Sequence, residues 1–115
     1  MSFRWPSKDP DEILDYSVDW SRFLDTAIIT DVVWFVQSSL YNTKTELKAG
    51  QNLTSASSSA TTDSIQNVAQ TNTNTVATIN IGGGQNNVEY TFTCRMTDNT
   101  GSTAERTIKI RLKER

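Results

Sequence analysis

The residues best placed to do chemistry lie near the start of the chain. Asp9, Asp11, Glu12 and Asp15 are spaced like the opening of a calcium loop, which takes oxygen ligands from alternating positions, a glycine at the sixth and a bidentate acid at the twelfth. Counted from Asp9, those positions hold Ile13, Leu14 and Trp20 where an oxygen ligand, the glycine and the acid are needed. No metal is therefore expected, and Asp9 and Asp11 read instead as residues that turn the chain around Pro10 by bonding nearby amides. Ser7 and Lys8 are sequence neighbours without an accompanying oxyanion or triad pattern, so they do not make a nucleophile pair. Gly82, Gly83 and Gly84 lack the lysine and following helix of a phosphate-binding loop and are read as a flexible corner. Asn52-Leu53-Thr54 fits a glycosylation acceptor only by chance if the chain is not secreted.

The composition removes most remaining chemistry. There is no histidine, hence no usual general base, zinc ligand or pH switch. Cys94 is the one cysteine, which excludes an intrachain disulfide and a multi-cysteine metal site. No enzyme activity and no cofactor are expected. A formal charge of -2 leaves no concentrated basic footprint for nucleic acid. No window approaches the apolar length of a membrane span, and Arg4 and Lys8 are not followed by the apolar core of a signal peptide. The chain reads as made in a cytoplasm.

Binding is the better prospect. Phe3, Arg4, Trp5, Pro6, Lys8, Asp9, Pro10 and Asp11 join aromatic anchors to two stiffening prolines at a terminus, where order normally needs a tether. Two uses are open. The arm either folds back over an edge of its own sheet, protecting it from aggregation, or leaves the domain and adds to a neighbouring subunit with Trp5 filling a pocket. Residues 1–12 are accordingly assigned to a docking arm and 13–115 to the domain.

The elements that must carry such an arm are strands. Residues 13–20 alternate, with Leu14, Tyr16, Val18 and Trp20 on one face and Asp15, Ser17 and Asp19 on the other. Residues 21–25 suit a short helical turn. Residues 27–37 are β-branched and aromatic on both faces, as in a central strand, with Trp34 as the core residue unless a bulge swaps the faces. Residues 40–48 are a strand or a connection. Between Ala49 and Val88 the only charged residue is Asp63, and exposed irregular strands or a long loop are expected over 49–75, anchored by Leu53, Ile65 and Val68.

The last third is the clearest. Residues 75–81 put Ala77, Ile79 and Ile81 on one face. In 88–98, Val88, Tyr90, Phe92, Cys94 and Met96 point inward; 98–102 form a turn around Gly101, and 103–112 return with Ile108, Ile110 and Leu112 inward. Many short strands and no long helix predict an all-β fold, an immunoglobulin-like antiparallel sandwich with an extended N-terminal arm. Acids crowd the first third, from Asp9 to Asp31, while Arg106, Lys109, Arg111, Lys113 and Arg115 crowd the end. Neighbouring strands within one copy are the preferred use of that asymmetry, and a head-to-tail contact between copies is the other.

The segment from Gly82 to Leu112 resembles the last two strands of immunoglobulin-like modules, with Tyr90 either in a tyrosine-corner role or an ordinary core residue. The run from Trp5 to Trp20, together with the ending STAERTIKIRLKER, resembles a family of small tailed-bacteriophage proteins described as fibre-tail adaptors. The resemblance implies a structural virion protein of the tail, made in the host cytoplasm. It would join fibres or spikes to the tail tube or another adaptor, present in several copies of a symmetric assembly. Residues 3–12 would dock on one partner, and the Ser/Thr/Asn-rich loops would meet another. The competing reading is an immunoglobulin-like module that recognises carbohydrate or a cell surface through 51–75, which a glycan array would detect.

Overall fold

The computed structural model describes residues 13–39, 44–53 and 64–112, together with the backbone of 2–4. The chain runs through β1 (Ser2–Arg4), β2 (Leu14–Asp19), α1 (Ser21–Leu24), β3 (Ile29–Ser38), β4 (Thr45–Glu46), β5 (Gln51–Asn52), β6 (Gln66–Asn72), β7 (Val76–Gly82), β8 (Glu89–Asp98) and β9 (Thr103–Arg111). Five strands form one sheet in the order β1-β9-β8-β3-β4, and four form the other in the order β2-β7-β6-β5. Every pairing is antiparallel except β1 with β9, which is parallel. The sheets face each other as a sandwich, and the order is compatible with an immunoglobulin-like module.

The inward residues are those that alternation selects. Tyr16, Val18 and Trp20 from β2 and its end meet Ala77, Ile79 and Ile81 of β7 on one sheet; Tyr90, Phe92, Cys94 and Met96 of β8 and Ile108 and Ile110 of β9 meet them from the other. Trp20 and Trp34 are each 1% exposed, and burying rings of that size dominates the core energetics. A register shift between Ile29 and Asp31 changes the phase of β3. Ile29 and Val32 are consequently both buried, after which Trp34, Val36 and Ser38 follow the even phase.

Tyr90 makes the corner contact. Its hydroxyl accepts a hydrogen bond from the Gln85 N–H at 2.9 Å, tying the start of β8 to the turn that delivers it. At the other end of β8, the Asp98 carboxylate accepts from the Thr100 and Ser102 N–H groups at 2.9 and 3.0 Å and from the Thr100 hydroxyl. Those bonds hold its carboxyl below the ordinary carboxylate range, and Gly101 closes the turn at φ 87°.

Two expectations change, the glycine corner and the Val68 anchor. The Gly82–Gly84 corner is close-packed rather than flexible. Gly83 and Gly84 have φ of 65° and 99°, and a Cβ on Gly84 would lie 2.1 Å from Leu112 Cδ2. The polar stretch contains an irregular strand, β6, half-buried to exposed apart from Asn67, as expected, paired along its length with β7 and at Gln66 and Asn67 with β5; residues 54–63 lie outside the described residues. A bulge between Asn67 and Ala69 turns Asn67 fully inward and leaves Val68 half-buried, so Leu53 and Ile65 are anchors while Val68 is not. Among the described residues 44–48, Thr45 and Glu46 pair as a strand, with Leu47 buried beside them; residues 40–43 lie outside the described residues.

Candidate docking surface

The backbone of the arm is described for its first part only. Ser2, Phe3 and Arg4 pair in parallel with Thr107, Ile108 and Lys109, extending the five-stranded sheet beyond β9. Trp5, Pro6, Lys8, Asp9, Pro10 and Asp11 lie outside the described residues. The described chain leaves β1 beside Lys109 and resumes at Ile13, before Leu14 pairs with Ile81. Phe3 and Arg4 are thus brought to the edge formed by the tail segment ERTIKIR, so that both ends of the sequence meet at one edge of the molecule.

That edge is fastened to the second sheet by a contact the sequence reading did not pick out. Arg106 occupies an inward position of β9, opposite Cys94, and its guanidinium lies over the Trp20 ring at 4.8 Å. Its Nη1 also donates to the Asp19 carbonyl at 3.4 Å. A cation over an indole face is attracted by the ring quadrupole, by about 0.5–2 kcal/mol depending on desolvation. Trp20 further meets Phe23 edge to face at 5.9 Å. The Asp19 carboxyl accepts the Ser21 N–H at 2.9 Å, and this bond, with nearby Arg106, holds it below its ordinary range. The signal was a charged residue in the inward phase of an alternating strand, between Ala104 and Ile108.

Beneath the latch, burial pushes the Cys94 thiol up to about 12, against smaller opposing effects of the Trp20 indole and Arg106. The sulfur remains a protonated thiol near neutrality, a packing group rather than a nucleophile. On the outer face, Lys44 and Arg95 flank the Phe35 ring at 4.9 and 4.6 Å, and Glu105 joins them at 3.2 and 2.6 Å. The two cations hold the Glu105 carboxyl below its ordinary range. Charged neighbours within one sheet therefore pair locally; Lys109 approaches Glu89 at 4.0 Å. No group of acidic residues, histidines or cysteines able to hold a metal occurs among the described residues.

Residues 8–111 match the family described as podophage GP4 fiber-tail adaptor protein gp77. The chain belongs to that family. The matched range includes Lys8, Asp9, Pro10 and Asp11 of the arm and every strand of the sandwich from β2 to β9. Its name denotes a structural adaptor of a phage tail, the role that the two termini of the sequence suggested. No curated protein matches the chain. The edge where β1 meets β9 carries the described part of the arm, beside the contact of Arg106 with Trp20.

Proposed function

We propose that the chain is a tail component that joins fibres or spikes to the rest of a phage tail through protein contacts, with the N-terminal arm docking on one of its two partners. The family match over 8–111 supports the adaptor part of this reading, and the aromatic and proline-rich make-up of residues 3–11 supports the docking arm. Phe3, Arg4, Trp5, Pro6, Lys8, Asp9, Pro10 and Asp11 supply the contact, with Trp5 as its anchor. A rigid sandwich suits a mechanical link, because a preorganised surface spends little free energy on ordering when it binds. Several copies in a symmetric assembly would let individually weak contacts add.

The test is a pair of arm variants, Trp5→Ala and Lys8→Glu, introduced into the phage. The fibre complement of purified particles is counted, and the thermal midpoint of each isolated protein is measured. Loss of fibres at an unchanged midpoint supports a docking arm. Full fibre complement in both variants contradicts it, and a lowered midpoint with full complement assigns the arm to the stability of its own domain.

A further inference from the structure

The two flanks of the sandwich carry a projection and a recess that no adaptor role by itself requires. On the flank where β2 faces β9, Phe23 is 47% exposed although its ring is fixed edge to face against Trp20. Arg22 precedes it, also exposed. On the opposite flank, where β3 and β4 lie over β6, the short β4 covers β3 only at Phe35 and Val36. The rest of that side of β3 opens into a cleft of about 460 Å³, bounded by Asp31, Val33, Glu46, Lys48, Ala49 and Gln70. Its charges are two acids and one base, net negative. Across it the Gln70 Nε2 donates to the Val32 carbonyl at 3.2 Å, beyond the part of β3 that β4 pairs.

We propose that the cleft receives the Arg22–Phe23 projection of a second copy of this chain, with the Phe23 ring seated in it and Arg22 facing Asp31 and Glu46. This rests on the adaptor reading in one respect, the expectation of several copies. Three observations carry it. An aromatic ring held rigid and half in water is the anchor type that dominates interface energetics. The positive residue beside it meets a net negative recess. And projection and recess sit on opposite flanks, so a contact between them is heterologous: an open assembly always keeps one free projection and one free recess at its ends, and repetition makes a ring or a filament rather than a closed pair.

The test is the mass of the full chain by sedimentation over rising concentration, for wild type, Phe23→Ser and Asp31→Lys, with Glu46→Lys as a second cleft variant. Both Phe23 and Asp31 are exposed, so the fold is retained, and circular dichroism verifies this. Wild type is expected to grow beyond a dimer, and each variant to weaken association by about tenfold or more. The decisive sample is an equal mixture of Phe23→Ser and Asp31→Lys. The first keeps an intact recess and the second an intact projection, so together they form one-to-one dimers and stop there. A wild type that stays monomeric throughout, variants that associate like wild type, or a mixture without dimers would overturn the proposal. None of these results bears on the fibre complement of the arm variants, so the adaptor reading stands or falls separately.

Discussion

The two flanks of the sandwich are closed by different chemistry. Where β2 meets β9, a guanidinium lies on an indole: Arg106 reaches over Trp20 and bonds the Asp19 carbonyl. Where β3 and β4 meet β6, two carboxamides do the work. The Asn67 Nδ2 donates to the Leu47 carbonyl at 3.0 Å and to the Gln70 Oε1 at 2.8 Å, and Gln70 passes the connection to Val32. The first closure is charged and largely apolar in what it buries. The second is neutral; each leaves one buried polar atom without a hydrogen-bond partner, the Trp20 Nε1 in the first and the Asn67 Oδ1 in the second, and such a group costs free energy in a dry interior.

The largest test of this contrast is Trp20→Ala. It removes the ring on which Arg106 and Phe23 both lie, and a loss of about 3–5 kcal/mol is expected in urea unfolding. Gly84→Ala belongs on the same scale of damage by a different route, since its φ and the Leu112 contact both oppose a Cβ; about 1–3 kcal/mol is expected. On the amide flank, Asn67→Ala leaves the Leu47 carbonyl and the Gln70 side chain short of a donor and should cost about 1–3 kcal/mol. Arg106→Ala should cost about 1 kcal/mol. If Asn67→Ala proves milder than Arg106→Ala, the amide closure is dispensable and the contrast between flanks fails.

The smallest effect is on pH dependence. Asp19, Asp98 and Glu105 are all held below the ordinary carboxylate range by hydrogen bonds or adjacent cations. A carboxyl whose folded value is depressed contributes stability that is present above its unfolded value and lost as pH falls through the folded one. Stability should therefore be flat above about pH 5 and decline on acidification. Glu105→Gln should flatten that decline slightly, because its pairs with Lys44 and Arg95 are exposed and screened. A Glu105→Gln profile parallel to wild type would assign the acid response to the two aspartates.

How far the sequence could be read follows the same division. Strands β2, β7 and β8 alternate in sequence, and β9 does so apart from Arg106, so period alone identified Trp20, Ile79, Phe92 and Ile108 as core. The register of β3 was readable apart from its bulge. In the polar stretch the apolar period fails because the inward position of β6 is taken by Asn67, and a bulge sets which residue that is. Neither a buried amide nor a bulge leaves a mark in hydrophobic alternation. Glycine has the same ambiguity: Gly82–Gly84 look like a free corner by composition, while their tight contacts depend on Ser64 and Leu112, distant in sequence. The arm was proposed from an aromatic and proline-rich terminus and from a family resemblance, and of it the structure describes the backbone of Ser2–Arg4. The latch beneath it required knowing that the inward phase of β9 places Arg106 on Trp20.

The adaptor reading holds that the arm acts between molecules, and amide hydrogen exchange over residues 3–11 tests it most directly, in the isolated monomer and again in purified tails. The account predicts little protection of these amides in the monomer beyond the three-residue pairing with β9, and strong protection in the tail, while β8 and β9 stay protected in both. Equal protection of the arm in monomer and tail would contradict it, because the segment would then be completing its own sandwich and the link to fibre or tail would have to run through another surface.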